Sequence, residues 1–114
     1  MTEPRLASHM LVAALVRQTF ALGDFAAILR KGDENAGAVL LIGRIKGANP
    51  RLFERFPSLD KGLEWQEIST QTIDNEEQIP EYLERRTARD PDIWVIELDV
   101  AFDERLSGLL ASTA

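Results

Sequence analysis

A chain of 114 residues is long enough for one domain with a buried core and too short for two ordinary ones, so residues 1–114 read as a single domain. Hydrophobic residues make up 45% and charged residues 28%, a globular balance. The absence of cysteine excludes disulfides, thiol catalysis and thiolate metal sites, the single His9 excludes a histidine-rich zinc site within one chain, and a net charge of −6 argues against general nucleic-acid binding.

Residues 5–22, RLASHMLVAALVRQTFAL, have helical spacing. Leu6, Met10, Ala14 and Arg17 share one face, with Leu11, Leu15 and Leu22 beside it. The centre, Met10–Val16, is apolar all round, the pattern of a helix covered on more than one side, in part by another subunit. That run is far too short to span a membrane. Glu3 upstream and the lack of a small-residue cleavage site argue against a secretory signal, which leaves the cytoplasm as the expected location. Gly23 and Asp24 stop the helix.

Residues 25–31 and 37–47 predict two short apolar strands joined as an antiparallel pair by the loop GDENAG, 32–37. In the second, Val39, Leu41 and Ile45 alternate with Leu40, Ile42, Arg44 and Lys46. Asn49-Pro50 predicts a turn, RLFERF (51–56) a third strand, PSLDKG (57–62) a loop, and LEWQEIST (63–70) a fourth strand centred on Trp65. The order suggests an antiparallel meander. Helical spacing returns from Asp74 through Ile79, Tyr82, Leu83 and Arg86, over about residues 77–88, with the regular helix starting near Pro80.

Asp90-Pro91 ends that helix, because the residue before proline avoids helical geometry. Asp92 suits a chain reversal through its side-chain hydrogen bonds. IWVIELDV (93–100) then predicts a strand apolar on both faces and therefore inside the sheet. A short helix over 102–111 follows, with Phe102, Leu106, Leu109 and Leu110 on one side and Gly108 weakening it. The fold class expected is α+β. An antiparallel sheet of four or five strands packs against the N-terminal helix and the helix near 77–88, with a short C-terminal helix.

The stretches KGDENAGAV (31–39), the isolated Trp65, and YLERRTARDPDIWVIEL (82–98) together resemble a bacterial family catalogued as domain of unknown function 1491. The resemblance covers nearly the whole chain and is most specific in the DPD-aromatic-hydrophobic-Glu block. It implies a small bacterial cytoplasmic protein and assigns no functional residue.

Gly32–Gly37 has the glycine spacing of a phosphate loop. However, Ala38-Val39 stands where Lys and Ser/Thr are needed, a strand follows instead of a helix, and Asp33 and Glu34 repel phosphate. It also lacks the ligand series of a calcium loop. Asp92 and Glu97 faintly resemble a metal-nuclease core, but five residues along one strand separate them by about 16 Å, too far to share an ion. Ser8 and His9 are helix neighbours whose side chains diverge, a poor catalytic dyad. Trp65 and Trp94 read as core.

Arg30, Lys31, Arg44, Lys46, Arg51 and Arg55 lie near strand ends, where several converge on one rim if the meander holds, with Phe53 and Phe56 close by. Residues 1–62 carry 9 Lys/Arg against 6 Asp/Glu, and residues 63–114 carry 4 against 13. Such asymmetry orients a partner or a second copy. The leading reading is a non-enzymatic interaction or regulatory domain that self-associates, needing no cofactor and having no membrane contact. Its partner is itself or another protein. Its candidate functional surface is Asp33, Glu34, Arg44, Lys46, Arg51, Arg55, Asp90 and Asp92. One alternative is a small enzyme using the loop carboxylates Asp33, Glu34, Asp90, Asp92 and Glu97. The other is a weak nucleic-acid binder through the basic rim.

Overall fold

The strand Trp94–Val100 lies inside a five-stranded sheet, paired on both sides. The structure is a computed structural model that describes residues 7–35, 37–58, 62–68 and 76–113. The readings attached to Leu6, Ala36, residues 59–61 and 69–75, and the side chain of Phe56 lie outside the described residues. In chain order the elements are α1 (Ser8–Ala21), β1 (Phe25–Arg30), β2 (Val39–Ile45), β3 (Ala48–Ser58), β4 (Gly62–Glu67), a 3-10 turn (Glu76–Gln78), α2 (Ile79–Arg89), β5 (Trp94–Val100) and α3 (Asp103–Ser112).

The sheet order is β1-β5-β2-β3-β4. Alternation along β2 and β5 sends apolar residues to both faces, so both faces need cover. On one, Leu11, Val12 and Leu15 of α1 and Leu106 and Leu109 of α3 pack over Val39, Leu41, Phe53, Trp94, Ile96 and Leu98. On the other, Ile79 and Tyr82 of α2 cover Leu40, Ile42, Leu52, Ile93 and Val95. The α+β class therefore holds, with the N-terminal helix and α2 on opposite faces. Pro80 sits in the first turn of α2, where its missing N–H has no partner to lose.

Three expectations are corrected. β1 and β2 do not pair with each other; β5 lies between them, antiparallel to β1 and parallel to β2. The meander is confined to β2-β3-β4. The reason is burial: β5 is apolar on both faces and its residues gain most in an interior slot. The second correction concerns the turn, which falls at Lys46-Gly47, both with positive φ (51° and 75°), and not at Asn49-Pro50. Positive φ at both positions matches the twist of a two-residue hairpin. Asn49-Pro50 instead occupies the bulge between the Gly43–Arg51 and Ile45–Ala48 pairs. Third, Met10 and Phe102 are half exposed, while Leu11, Val12 and Leu15 carry the buried face of α1.

The two signature stretches form one clasp. The Asp33 N–H donates to the Asp92 carbonyl at 2.9 Å, the Trp94 N–H to the Ala38 carbonyl at 2.8 Å, and the Trp94 Nε1–H to the Asp33 carbonyl at 2.7 Å. The N–H groups of Ser8 and His9 donate to the carbonyls of Asn35 and Glu34, so the same loop also satisfies the start of α1. A Cβ at Gly32 or Gly37 would lie 2.2 or 2.3 Å from the Asp92 carbonyl oxygen. Gly37→Ala is therefore expected to destabilise the protein by about 1–3 kcal/mol. Gly108, in a helix and with nothing within 4 Å of its would-be Cβ, is expected to gain roughly 0.5–1 kcal/mol as Ala. Urea unfolding midpoints of the two variants, moving in opposite directions, check both.

Candidate functional site

Asp33, Asp90 and Asp92 meet at one corner through backbone geometry. The Asp33 carboxylate accepts the Asn35 N–H at 3.1 Å, and the Asp90 carboxylate accepts the Asp92 N–H at 3.2 Å, both turn-forming bonds. The Arg30 guanidinium donates to the Pro91 carbonyl at 2.8 Å. Glu34 is exposed, 4.0 Å from the Lys31 ammonium, a surface pair of little energetic weight. Glu97 lies apart, on the α2 face of β5, bonded to Arg44 at 3.1 Å. Among the described residues, no group of three or more histidine, aspartate or glutamate side chains is placed to hold a metal ion. Ser8 donates its hydroxyl to the Gly37 carbonyl at 2.5 Å, and the Nδ1–H of the exposed His9 ring donates to the Glu34 carbonyl at 2.9 Å.

The arginines at the β2–β3 end do not share a rim. Arg44 points to the α2 face, where Glu76 and Glu97 accept its hydrogen bonds. Burial disfavours its charge, but the two carboxylates outweigh that and raise its pKa. Arg51 points to the α1/α3 face. Its two bonds to Glu67, at 2.7 and 3.0 Å, raise its pKa against burial; Asp103 accepts a third at 2.9 Å, and the guanidinium lies 5.1 Å from the Phe53 ring centroid. Arg55 stands opposite Trp65 on β3, and Lys46 is exposed in the hairpin turn. Alternation along a strand explains the split: Arg44 and Arg51 come from neighbouring strands but from opposite parities.

The sequence reading expected part of α1 to meet another subunit but did not single out the exposed apolar residues of β1 beside it. Phe20, Phe25, Ile28 and Leu29 are each 50–54% exposed. Phe20 and Phe25 meet edge to face with ring centroids 6.3 Å apart. Ala13, Val16 and Phe20 recur at helical spacing along the flank of α1, Val16 packing partly against the core and Ala13 and Phe20 exposed. The signal was present in FAAILR, a strand with no charge before Arg30, but it reads equally as an interior strand.

Two grooves flank α3. One, of about 420 Å3, runs between α3 and the end of α1, with Ala21, Leu22, Gly108 and Leu109 along it and Arg105 at its side. The Arg105 guanidinium is held by Asp24 at 2.9 Å and stacks 4.6 Å from the Phe102 ring centroid. The other, of about 330 Å3, has Trp65, Phe53 and Leu110 as apolar walls. Trp65 donates its Nε1–H to the Thr113 hydroxyl at 3.2 Å and is half-buried against the α1/α3 core. Asp33, Glu34, Asp90 and Asp92 line neither groove. Among the described residues, no helix is long and apolar enough to cross a membrane.

Known proteins place this architecture. A crystal structure of a DUF1491 family protein from Caulobacter crescentus CB15 matches with a TM-score of 0.73 at 35% identity, over 84% of this chain and 89% of that one. An NMR structure of a DUF1491 family protein from the same organism gives 0.72 at 34%, over 86% and 88%. The solution structure of protein Atu0922 from A. tumefaciens gives 0.74 at 31%, over 94% and 93%. No curated protein matches the chain. The family model for the protein of unknown function DUF1491 matches residues 6–107. The chain belongs to the DUF1491 family.

Proposed function

We propose that this protein is a non-enzymatic interaction domain that self-associates through the flank formed by α1 and β1. The observation that carries the reading is a set of half-exposed apolar side chains at one edge of the sheet: Phe25, Ile28 and Leu29 along β1, with Phe20 of α1 against Phe25. At ~200 Å2 for a large side chain, four half-exposed groups along this edge present roughly 400 Å2 of apolar surface in total. The non-enzymatic part is supported by the work the candidate acids already do. Asp33 and Asp90 form turns, and Glu97 neutralises Arg44. In this reading the acidic corner of Asp33, Glu34, Asp90 and Asp92, with Lys46 and the arginines 44, 51 and 55 on other sides, orients an approaching partner by charge without anchoring it.

Light scattering across a wide concentration range tests the reading. The weight-average mass is expected to rise from near 12.8 kDa towards twice that value. A mass that stays at 12.8 kDa at every concentration, with or without salt, would overturn it.

A further inference from the structure

β1 is an edge strand. Among the described residues it pairs with β5 alone, so one row of its backbone N–H and C=O groups faces outward. Edges of this kind are normally blunted by charge, proline or a bulge, because they template pairing with another chain. Between Asp24 and Arg30 the strand reads FAAIL, without a charge or a proline. Its one bulge is at Leu29, where the register shifts between Ile28 and Arg30. The opposite edge, β4, carries Glu64, Gln66 and Glu67. The two edges are thus unlike: one is guarded by polar side chains and the other is not.

Resting on the self-association proposed above, we infer that two copies pair β1 with β1, antiparallel, about a two-fold axis. The five-stranded sheet continues into the second copy's sheet, and the α1 flanks (Ala13, Val16 and Phe20) meet over the seam. A two-fold axis makes the contact isologous, so one patch suffices for both partners and the assembly closes as a dimer. The charges at the strand ends set the direction. Asp24 precedes β1, and Arg30 and Lys31 end it. Antiparallel pairing brings each Arg30–Lys31 end to the partner's Asp24 end, whereas parallel pairing would set like beside like. Asp24 is already held by Arg105 at 2.9 Å, so these charges select orientation more than they add affinity. Area is sufficient. Roughly 400 Å2 of apolar side chain per copy, doubled and joined by Ala13, Val16 and the paired backbone edges, approaches the ~1,200 Å2 total of the smaller specific interfaces.

The chain has no cysteine, so single cysteines report cleanly. The full-length protein, carrying one cysteine at each position from 25 to 29 in turn, is oxidised and compared with Gln66→Cys on the other edge. Directly opposite positions in an antiparallel pair bring Cβ atoms to about 4.5–5.5 Å. The expected result is a disulfide dimer at one or two β1 positions near the axis, falling off to either side, and none at position 66. Alongside, Ile28→Lys, at a half-exposed site, is expected to keep the melting curve of the native protein and to weaken dimerisation at least about tenfold. A dimer that cross-links at none of the β1 positions and tolerates Ile28→Lys would overturn the edge pairing and leave self-association standing. A wild-type protein that stays monomeric would overturn both.

Discussion

Trp94→Ala is expected to lower the melting temperature by roughly 12–20 °C, the consequence of losing about 3–5 kcal/mol. Trp94 is 3% exposed and lies on an interior strand, packed with Val39 and Leu41 of β2 and with the α1 side of the core. Truncation opens a cavity bounded by three elements that cannot all collapse into it. It also removes the Nε1–H bond to the Asp33 carbonyl, loosening the loop that satisfies the first N–H groups of α1. For a small domain whose whole stability is about 5–15 kcal/mol, that is a large share. Trp94→Phe keeps the packing and loses only the hydrogen bond and part of the ring, so it should fall between the two. Circular dichroism melts of the three proteins check the order, and an unchanged melt for Trp94→Ala would remove Trp94 from the core.

The second large effect is expected at a buried ion pair on the other face. Glu54 is 7% exposed in the middle of β3, among Leu52 and the residues beneath α2, and its carboxylate is held by Arg86 of α2. Burial disfavours the Arg86 charge, yet the bond and charge of Glu54 prevail and raise its pKa. Removing Arg86 leaves the Glu54 carboxylate buried without compensation. Arg86→Met is therefore expected to cost about 3–5 kcal/mol. Removing both charges is different: Glu54→Leu combined with Arg86→Met restores an apolar layer between β3 and α2. That double variant should be close to the wild type or more stable by up to ~4 kcal/mol. Urea unfolding at neutral pH separates the cases. A loss below about 1 kcal/mol for Arg86→Met would show that water reaches Glu54 without the arginine.

Burial patterns were legible in the residues, and neighbours were not. The run IWVIELDV announced an interior strand because both of its alternating faces are apolar, and it is interior. Pro80 marked the start of α2, and Asp90-Pro91-Asp92 marked the corner before β5. Period-two alternation says which face a side chain takes but not which strand lies alongside, so the insertion of β5 between β1 and β2 was hidden. The β2–β3 turn was ambiguous for a local reason. Lys46-Gly47 and Asn49-Pro50 both carry turn chemistry, and only the backbone decides that the first closes the hairpin and the second forms the bulge.

Of the candidate surface, Asp33, Asp90 and Asp92 are joined through main-chain and turn bonds, a proximity that the sequence alone left open. The exposed apolar residues of β1 were not singled out because Phe25, Ile28 and Leu29 would look the same in a covered strand. Their exposure follows from β1 occupying the sheet edge, which no property of the segment itself reveals.

NMR-detected amide hydrogen exchange as a function of protein concentration tests most directly whether the α1–β1 flank is the working surface. The account predicts that the β1 amides facing away from β5, with those around Val16–Phe20, are protected at high concentration and exchange faster on dilution, while β5 amides stay protected throughout. Outward-facing β1 amides that exchange at one rate, whatever the concentration, would contradict it.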